Sequence, residues 1–417
     1  MAEIARAALH QTALSLPCPA FCGALRKRAE EEIHKKPLPT SDQEDWKYLD
    51  LSDVYSKTYG QASCSPSSYP ATECLSPETA RSRLHFVNGR LNSGLSDTTA
   101  LPNNIHFSSL AQAAPGIIEH LGKLAWPDSI DTFANINTAR FSDGALVYIS
   151  SGQSLETPLH VVFHSDGAER GECPIMLPRI LVVLEQGAKA YLVEEYSGSG
   201  KYLTSSVVEI ILGEGASLRH DRIQRESCDA FHFCTLRANV AKSSAYSSTL
   251  ISLGAAISRH NPQFTLKGEM SELELAGLSI INAAQTADMH SLIDHAAPNC
   301  VSGQLQKYII GGSAHGIFNG QILVRQGAQQ TNANQSSRNL LLSEIARIDA
   351  KPQLEILADD VKCGHGATIG QLNQDELFYL QSRGLDMNSA RNLLLAGFSA
   401  EVINRVALPS LRLALLQ

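Results

Sequence analysis

The chain has 417 residues, of which 43% are hydrophobic and 18% are charged, and its net charge of -8 is mildly acidic. This balance disfavours nucleic-acid binding, because phosphate backbones are bound by clustered Lys and Arg. The sequence contains no run of 18 or more apolar residues, so no membrane-spanning helix is predicted. Glu3, His10 and Gln11 interrupt the stretch where a signal peptide would need basic and apolar regions. We therefore expect a cytoplasmic protein with no membrane partner.

The nine cysteines are scattered over the chain and include no Cys-x-x-Cys pair. A zinc ribbon, a thioredoxin-type redox site and a ferredoxin-type cluster motif all use such closely spaced pairs, so none of them is predicted. An odd, scattered set also does not suggest a disulfide framework. Any metal chemistry must use ligands that are distant in the sequence or that come from another chain.

Residues 1–140 predict an α-rich N-terminal cap. Residues 1–36 contain good helix formers of mixed charge, and Pro37 ends that pattern. Residues 63–77 are rich in Ser, Pro and Cys and predict a loop. Residues 78–140 mix short strand-like and helix-like pieces.

Residues 141–372 predict a mainly β core. Short apolar runs follow one another, separated by Gly, Ser, Asn and Asp. Examples are residues 146–149, 159–164, 179–184, 207–212 and 306–310. No long amphipathic helix interrupts these runs, which argues against alternating βαβ units.

Turn signals recur through this core. Nearly equal lengths of chain separate Gly187-Ala188, Gly215-Ala216, Ala241-Lys242 and Gly268-Glu269. A loose repeat in the twenties is typical of a chain that winds as a β-solenoid. A large β-sandwich has similar strand spacing and stays an alternative, but it usually needs fewer strands than this segment can hold.

Residues 373–417 predict a small C-terminal helical domain with three capped helices. The first covers Asp375–Arg383, the second begins after its N-cap Asp386 and stops at Gly397, and the third begins after Ser399. The leucine- and valine-rich faces of these helices need a partner, either the end of the β core or another protein.

A dense motif lies between Thr331 and Gly384. It reads KPQLEI-x-ADDVKC-x-HGAT-x-G-x-L and continues with LFYL-x-SRG. This block resembles the C-terminal signature of the SufB/SufD family of iron–sulfur cluster assembly scaffold proteins, in the form carried by the SufD branch. Elsewhere the resemblance is one of layout: a cap with a Trp-Lys-Tyr segment, a long β core and a helical tail.

The resemblance implies properties that composition and spacing do not. Members of the family have a right-handed parallel β-helix core. SufD pairs with SufB through the C-terminal end of that core, and the helical tails bind SufC, an ABC-type ATPase. A nascent cluster is built at the SufB–SufD junction, so iron or a cluster is expected there only transiently, with no cofactor bound stably by this chain alone. A non-catalytic scaffold is expected, and the chain has no Walker A motif of its own.

In the family, the SufD contribution to the junction is linked to the Cys-x-His pair of the signature, which falls here on Cys363 and His365. Residues i and i+2 of a strand face the same way, so a thiolate and an imidazole would stand side by side. Both suit iron and cluster chemistry. Two ligands hold a metal weakly, which favours a site completed by SufB. The competing interpretation of Cys363 is a buried small hydrophobe, and Gly364 replaces the Ser or Thr frequent in the family, which bears on local flexibility.

Four other histidines have simpler explanations. His290 and His295 are five residues apart, a spacing that fits neither a strand face nor a helical i,i+4 pair and that predicts a solvated turn. His160 and His164 share a strand face, and an exposed outer face of the solenoid explains them.

Two further groups are also assigned structural roles. Cys228 and Cys234 flank a short aromatic run and are expected to line a β face. Asp359-Asp360 offers hard-metal ligands, but a solenoid corner favours such residues in any case.

A function from another class is a β-helix polysaccharide lyase or hydrolase. Such sites use paired carboxylates and usually sugar-stacking aromatic residues, whereas this chain has only two tryptophans, Trp46 and Trp126. A homodimer of the isolated chain is a further alternative, because an edge that pairs with a paralogue can pair with itself.

Overall fold

The computed structural model describes residues 2–17, 22–62, 76–102, 104–126, 130–167 and 171–416. The loop predicted at 63–77 lies outside these ranges except for its last two residues. The helices are α1 (Ala2–Ser15), α2 (Gly23–Lys35), α3 (Ser52–Tyr55), α4 (Pro115–Ile118), α5 (Thr132–Arg140), α6 (Gln374–Ser382), α7 (Met387–Ile403) and α8 (Pro409–Leu415). The longest of them has 17 residues, and none in the described ranges combines the length and apolarity needed to cross a bilayer.

The strands form two long sheets. They are β1 (Tyr59–Gln61), β2 (Arg83–Val87), β3 (Arg90–Leu91), β4 (Ile105–Ser109), β5 (Ala145–Ile149), β6 (Leu159–Asp166), β7 (Cys173–Met176), β8 (Arg179–Leu184), β9 (Lys189–Ser199), β10 (Leu203–Leu212), β11 (Ser217–Arg225), β12 (Phe231–Val240), β13 (Ala245–Ser252), β14 (Ile257–Leu266), β15 (Glu272–Ile281), β16 (Thr286–His295), β17 (Val301–Ile310), β18 (His315–Val324), β19 (Asn332–Leu341), β20 (Arg347–Ile356) and β21 (Lys362–Gly370).

The chain winds as a parallel β-solenoid. From β8 onward the even-numbered strands lie in one sheet, here sheet I, and the odd-numbered strands lie in the other, sheet II. Each strand pairs in parallel with the strand two further along, so β8–β9 to β20–β21 make seven turns. The number of residues per turn varies little along the solenoid. The turn from Phe231 to Ile257 is a shorter one, and the turn from His315 to Arg347 is a longer one. The predicted solenoid is confirmed, because a sandwich would pair its strands antiparallel.

The recurring turn signals lie at the solenoid corners. The chain turns at or next to Gly187, Gly215, Lys242 and Glu269, each time passing from a strand of sheet I to a strand of sheet II. Gly187 and Gly215 have φ of 71° and 66°, a left-handed conformation in which glycine avoids the Cβ clash. The small residues that recur in the sequence therefore mark the corner of each turn at which the chain passes from sheet I to sheet II.

Alternate residues of every strand point into the solenoid and form stacked columns. Leu184, Leu212, Val240 and Leu266 are directly paired along one such column and are all buried. Burying side chains of this size stabilises the fold by roughly 1.5–3 kcal/mol each. The core is consequently continuous along the solenoid axis rather than spherical.

The outer faces of both sheets are also covered. The N-terminal elements pack on sheet I, where the ring of Phe133 in α5 stacks on Phe233 of β12 with centroids 4.1 Å apart. Trp46 is buried in the same layer, so it presents no free sugar-stacking face. At this end β2 and β3 extend sheet II and β4 extends sheet I.

The C-terminal helices cover the outer face of sheet II. The predicted N-cap Asp386 is confirmed, since its carboxylate accepts the backbone N–H of Ser389 at 2.9 Å. The predicted break at Gly397 is wrong, because α7 continues to Ile403. Its buried residues Val402 and Ile403 pack on sheet II, which offsets the helix cost of about 1 kcal/mol for a glycine.

The third helix is also displaced from its predicted position. Ser399 does not cap it; its hydroxyl instead donates to the carbonyl of Leu395 inside α7 at 2.7 Å. The third helix is α8, which begins at Pro409, a residue suited to the first turn because its missing N–H needs no helical partner there.

Candidate functional site

The solenoid ends at β20 and β21. β20 pairs with β18 and β21 pairs with β19, and in the part of the chain that is described neither terminal strand has a neighbour beyond it. Their outward backbone N–H and C=O groups are therefore free to hydrogen-bond with a strand from another chain. We refer to this surface, residues 347–370, as the open end.

Cys363 and His365 both lie on β21 at the open end. Their ladder partners are Ala333 and Gln335 of β19, which are buried in the solenoid interior. The structure thus places Cys363 and His365 on the inward side of the strand, two residues apart, as the sequence pattern predicts. Cys363 is half-buried against the apolar core, whereas His365 is exposed because no further turn covers it.

Burial raises the pKa of the Cys363 thiol, and a hydrogen bond from the backbone of Ala333 only partly offsets this effect. The thiol is therefore protonated at neutral pH in the isolated chain. A metal ion or a cation from a partner would be needed to favour the thiolate, which is the form that binds metals. The electrostatics agree with a site that is completed only on assembly.

A polar column that the sequence did not reveal runs inward from His365. Gln335, the next residue below it, is 1% exposed, and its side-chain NH₂ donates to Gln304 at 2.9 Å. Gln304 donates in turn to the hydroxyl of Ser291 at 2.9 Å. The Oε1 atom of Gln335 has no hydrogen-bond partner among the described residues. The interior directly beneath His365 is therefore lined by side-chain amide groups and not by apolar side chains.

Two glycines leave the surface of β21 bare. A Cβ atom added at Gly364 or Gly366 would meet no atom of the described chain within 4 Å. Internal packing of this chain therefore does not require glycine at either position. Close approach of another backbone or of a ligand is the remaining physical reason for glycine in a strand.

The two terminal strands differ in how readily they can be extended. β20 carries Arg347, Asp349, Lys351, Pro352 and Glu355, and charges and proline are the usual devices that block edge pairing. β21 is nearly uncharged. The surrounding surface is apolar: Ile345, Leu357 and Ile369 are 67%, 57% and 55% exposed. The open end has the composition of an interface that another protein covers.

Asp359 and Asp360 form the corner between β20 and β21, as predicted. The carbonyl of Asp360 accepts the backbone N–H of Gln330, and its own N–H donates to Gln329 at 2.9 Å. These bonds join two successive corners of the solenoid. The residues are used for turn formation.

His160 and His164 share a face of β6 as predicted, but the solvent exposure predicted for the four other histidines is wrong. His160 and His164 are not on an exposed outer face; they are 1% and 8% exposed, and His160 lies 3.1 Å from Glu195. His290 and His295 are not in a solvated turn, because both lie on β16 and His295 is fully buried. In each case a polar side chain on a β run was assigned to solvent although the sheets are covered on both faces.

A second cluster lies in the middle of the solenoid. Cys234 lines the interior face of β12 as expected, while Cys228 is exposed at the corner before it. Cys234 pairs across the ladder with His260 of β14, and His232 lies two residues before Cys234 on the same face. The separation of Cys234 and His260 in the sequence equals one turn of the solenoid, and this match was the signal that could have brought the pair together.

The charges around this cluster shift its pKa values in opposite directions. Burial alone would lower the pKa of His232, but the Glu226 carboxylate and the Cys234 side chain together outweigh burial and raise the pKa to about 9. Burial also opposes ionisation of Cys234, yet the Arg222 guanidinium brings the pKa of that thiol below its ordinary value. Burial and the charge on His232 hold the pKa of His260 well below the usual range.

Comparison with known proteins connects these features to a family. Residues 164–398 match the family described as "SUF system FeS cluster assembly, SufBD core domain", and residues 8–161 match "SufBD protein N-terminal region". The chain is 38% identical to an iron–sulfur cluster assembly SufBD family protein of Synechocystis, covering 93% of this chain and 88% of the relative.

Two further relatives extend the comparison. Protein ABCI7, chloroplastic, of Arabidopsis thaliana is 31% identical over 91% of this chain and 82% of its own. Iron-sulfur cluster assembly protein SufD of Escherichia coli is 29% identical over 89% of this chain and 86% of its own. Each match includes most of the solenoid.

Proposed function

The chain belongs to the SufBD family of iron–sulfur cluster assembly proteins, and on that premise we propose that it is a SufD-type scaffold subunit that pairs with SufB through the open end. The observation that carries the proposal is β21, an exposed terminal strand that presents Cys363 and His365 on one face. In the proposed heterodimer a strand of SufB continues sheet II, and its residues complete the ligand set that two side chains begin.

The proposed role of Cys363 and His365 is to hold iron or a nascent cluster transiently at that junction. The raised pKa of Cys363 keeps its thiol protonated until a cation arrives. The cluster is cargo of the complex, and the chain itself is proposed to have no turnover.

The C-terminal helices are proposed to bind a SufC-type ATPase. Phe378 and Tyr379 of α6 are 73% and 56% exposed, and Leu393 of α7 is 53% exposed. Large apolar side chains grouped on helices in this way favour docking of another protein. ATP hydrolysis would then be supplied by the partner.

A physical link from α7 to the open end supports a coupling between ATPase and junction. Glu401 of α7 pairs with Lys307 of β17 at 2.6 Å and with Arg338 of β19 at 3.1 Å. β19 is the direct neighbour of β21. A movement of α7 would be transmitted by these contacts to the strand that carries Cys363 and His365.

Co-expression with the SufB and SufC proteins of the same organism tests the proposal. We expect a complex on size-exclusion chromatography, with iron and sulfide after anaerobic reconstitution. His365→Ala and Cys363→Ala should leave the complex assembled but lower its iron content several-fold. Cys228→Ala and His106→Ala, which change exposed residues away from the open end, are the matched controls and should have no effect.

Three results would count against parts of the proposal. If no complex forms with wild-type chain, the heterodimer is wrong. If the complex forms and neither Cys363→Ala nor His365→Ala changes its iron content, the pair is structural. If the chain forms only a homodimer through the open end, the partner is a second copy of itself.

A further inference from the structure

We propose that His232, Cys234 and His260 form a second metal site, inside the solenoid, for a divalent transition ion such as Zn²⁺ or Fe²⁺. One ligand atom of each residue lies within 4.8 Å of the others, and all three residues are buried. The site would be held by this chain alone, unlike the junction site. It therefore departs from the expectation that the isolated chain binds no cofactor stably.

The solenoid register brings the three side chains together. Cys234 and His260 are direct partners on neighbouring strands, and the rings of His232 and His260 have centroids 5.1 Å apart. Ligand atoms of a tetrahedral site with one sulfur and two nitrogens are separated by roughly 3.5 Å. Closing the remaining gap of roughly 1 Å requires side-chain adjustment and no change of the backbone ladder.

The carboxylate of Glu226 lies beside His232, the first of the three proposed ligands. Oε2 of Glu226 lies 2.7 Å from Nδ1 of His232. Glu226 is itself fixed by hydrogen bonds from Thr204 at 2.7 Å and Gln224 at 3.1 Å. Metal-binding histidines usually donate their second ring N–H to a carboxylate, and Glu226 lies at ion-pair distance from Nδ1 of His232, although the contact lacks hydrogen-bond geometry in the described chain.

The ring nitrogens of His232 and His260 form no hydrogen bond with described residues. Both ring nitrogens of His232 and both ring nitrogens of His260 lack a hydrogen-bond partner in the described chain, although the residues are 0% and 3% exposed. A buried polar group without a partner costs roughly 1–3 kcal/mol, so such groups are rare in native proteins. Coordination would satisfy Nε2 of His232 and one nitrogen of His260.

The charge balance around the cluster favours a divalent cation. The ionised groups that face it are the carboxylates of Glu194 and Glu226 and the guanidinium of Arg222, whose Nη2 lies 2.9 Å from Sγ of Cys234. With Cys234 as a thiolate and neutral imidazoles, the sum is two negative charges, which one divalent ion neutralises. Arg222 can remain a hydrogen-bond donor to the coordinated sulfur, an arrangement common beside metal thiolates.

The donor set also restricts the type of ion. One thiolate and two imidazoles suit Zn²⁺, Fe²⁺ and copper and do not suit Mg²⁺ or Ca²⁺, which prefer oxygen. Three protein ligands leave a fourth position open, as in sites that bind an exchangeable ligand.

This site is separate from the open end. His260 is followed along its ladder by Met289, Phe318 and Ala350, so three strand spacings, roughly 14 Å, lie between it and β20. The ion must therefore enter while the solenoid folds or through local opening. A test has to supply it during folding.

The full-length chain is produced in cells grown in minimal medium with added Co²⁺ in place of Zn²⁺ and Fe²⁺. After desalting without chelator, we expect about one Co²⁺ per chain and a thiolate-to-Co²⁺ charge-transfer absorption band in the near ultraviolet. Cys234→Ser should abolish the band. His260→Gln should lower the retained cobalt roughly tenfold, because it removes one ligand nitrogen. Elemental analysis of protein from unsupplemented cells then distinguishes zinc from iron.

Cys300→Ser is the matched control, since Cys300 is another buried cysteine and its loss should leave the band unchanged. Cys363→Ser should also leave it unchanged, which separates this site from the junction site. Far-ultraviolet circular dichroism shows whether each variant is folded; if Cys234→Ser is not, His260→Gln decides. Wild-type chain without retained cobalt, or a band that survives Cys234→Ser in folded protein, would overturn the proposal.

Discussion

The two ends of the solenoid are built in opposite ways. At the first end the sheets finish in the short strands β3 and β4, and Phe86 of the adjoining strand β2 is fully buried within the chain. At the other end β21 is exposed over almost its whole length. The first end buries its apolar core with residues of its own chain, whereas no described residue covers β21 at the second.

This difference shows where stability and function lie along one fold. Core residues at the first end, such as Phe86, are fully buried in their own chain, so changes there should affect folding. Residues at the open end have few internal contacts, so changes there should affect assembly. Three comparisons test that division.

The largest effect is expected for Phe86→Ala. Phe86 is fully buried in β2, with its ring stacked on Phe163 at 5.0 Å. Removing a buried phenylalanine side chain leaves a cavity and costs roughly 3–5 kcal/mol. The matched change at the open end is Ile369→Ala, for which about 0.5 kcal/mol or less is expected because the side chain is exposed.

Urea unfolding followed by circular dichroism measures both variants. Ile369→Ala should have the unfolding midpoint of the wild type and Phe86→Ala a clearly lower one. Similar losses in the two variants would mean that the open end is stabilised from within the chain.

A pair of glycine substitutions should give a smaller difference. A Cβ at Gly144 would lie 2.3 Å from the carbonyl oxygen of Arg179, whereas a Cβ at Gly364 meets nothing within 4 Å of the described chain. Gly144→Ala should therefore cost roughly 1–3 kcal/mol through overpacking. Gly364→Val should leave the melting temperature of the free chain unchanged but weaken its binding to SufB. Normal binding by Gly364→Val would show that β21 is not approached closely.

The smallest effect concerns pH and the interior near the open end. Burial lowers the pKa of His295 to about 4, so in the range between about 6.5 and 4 the unfolded chain takes up the proton and the folded chain does not. Stability should fall as the pH drops through that range. His295→Gln should remove about 1 kcal/mol of this loss between pH 7 and pH 5.5, as measured by urea unfolding at both values. An unchanged pH dependence would mean that water reaches His295 through the open end.

The sequence predicted the repeat better than it predicted what the repeat encloses. Gly187 and Gly215 reported the corners because a left-handed turn leaves a local residue preference. His160 and His295 were assigned to solvent because nothing local distinguishes a polar residue facing water from one facing a covered interior. Their burial depends on layers contributed by distant parts of the chain.

Site residues divide along the same line. Cys363 and His365 were proposed because the resembled family signature carries a Cys-x-His pair at these positions. His232, Cys234 and His260 were missed because Cys234 and His260 meet only through the register of neighbouring turns. The helix α7 was cut short at Gly397 because the local cost of glycine was visible in the sequence and the packing of Val402 on sheet II was not.

Hydrogen–deuterium exchange of the free chain and of its mixture with SufB tests the central claim most directly. We expect rapid exchange in β21 of the free chain and strong protection of residues 362–370 in the mixture. β10, in the interior of sheet I, should be slow in both. If SufB binds and β21 exchanges as fast as before, while protection appears elsewhere on the chain, then the open end is not the pairing surface.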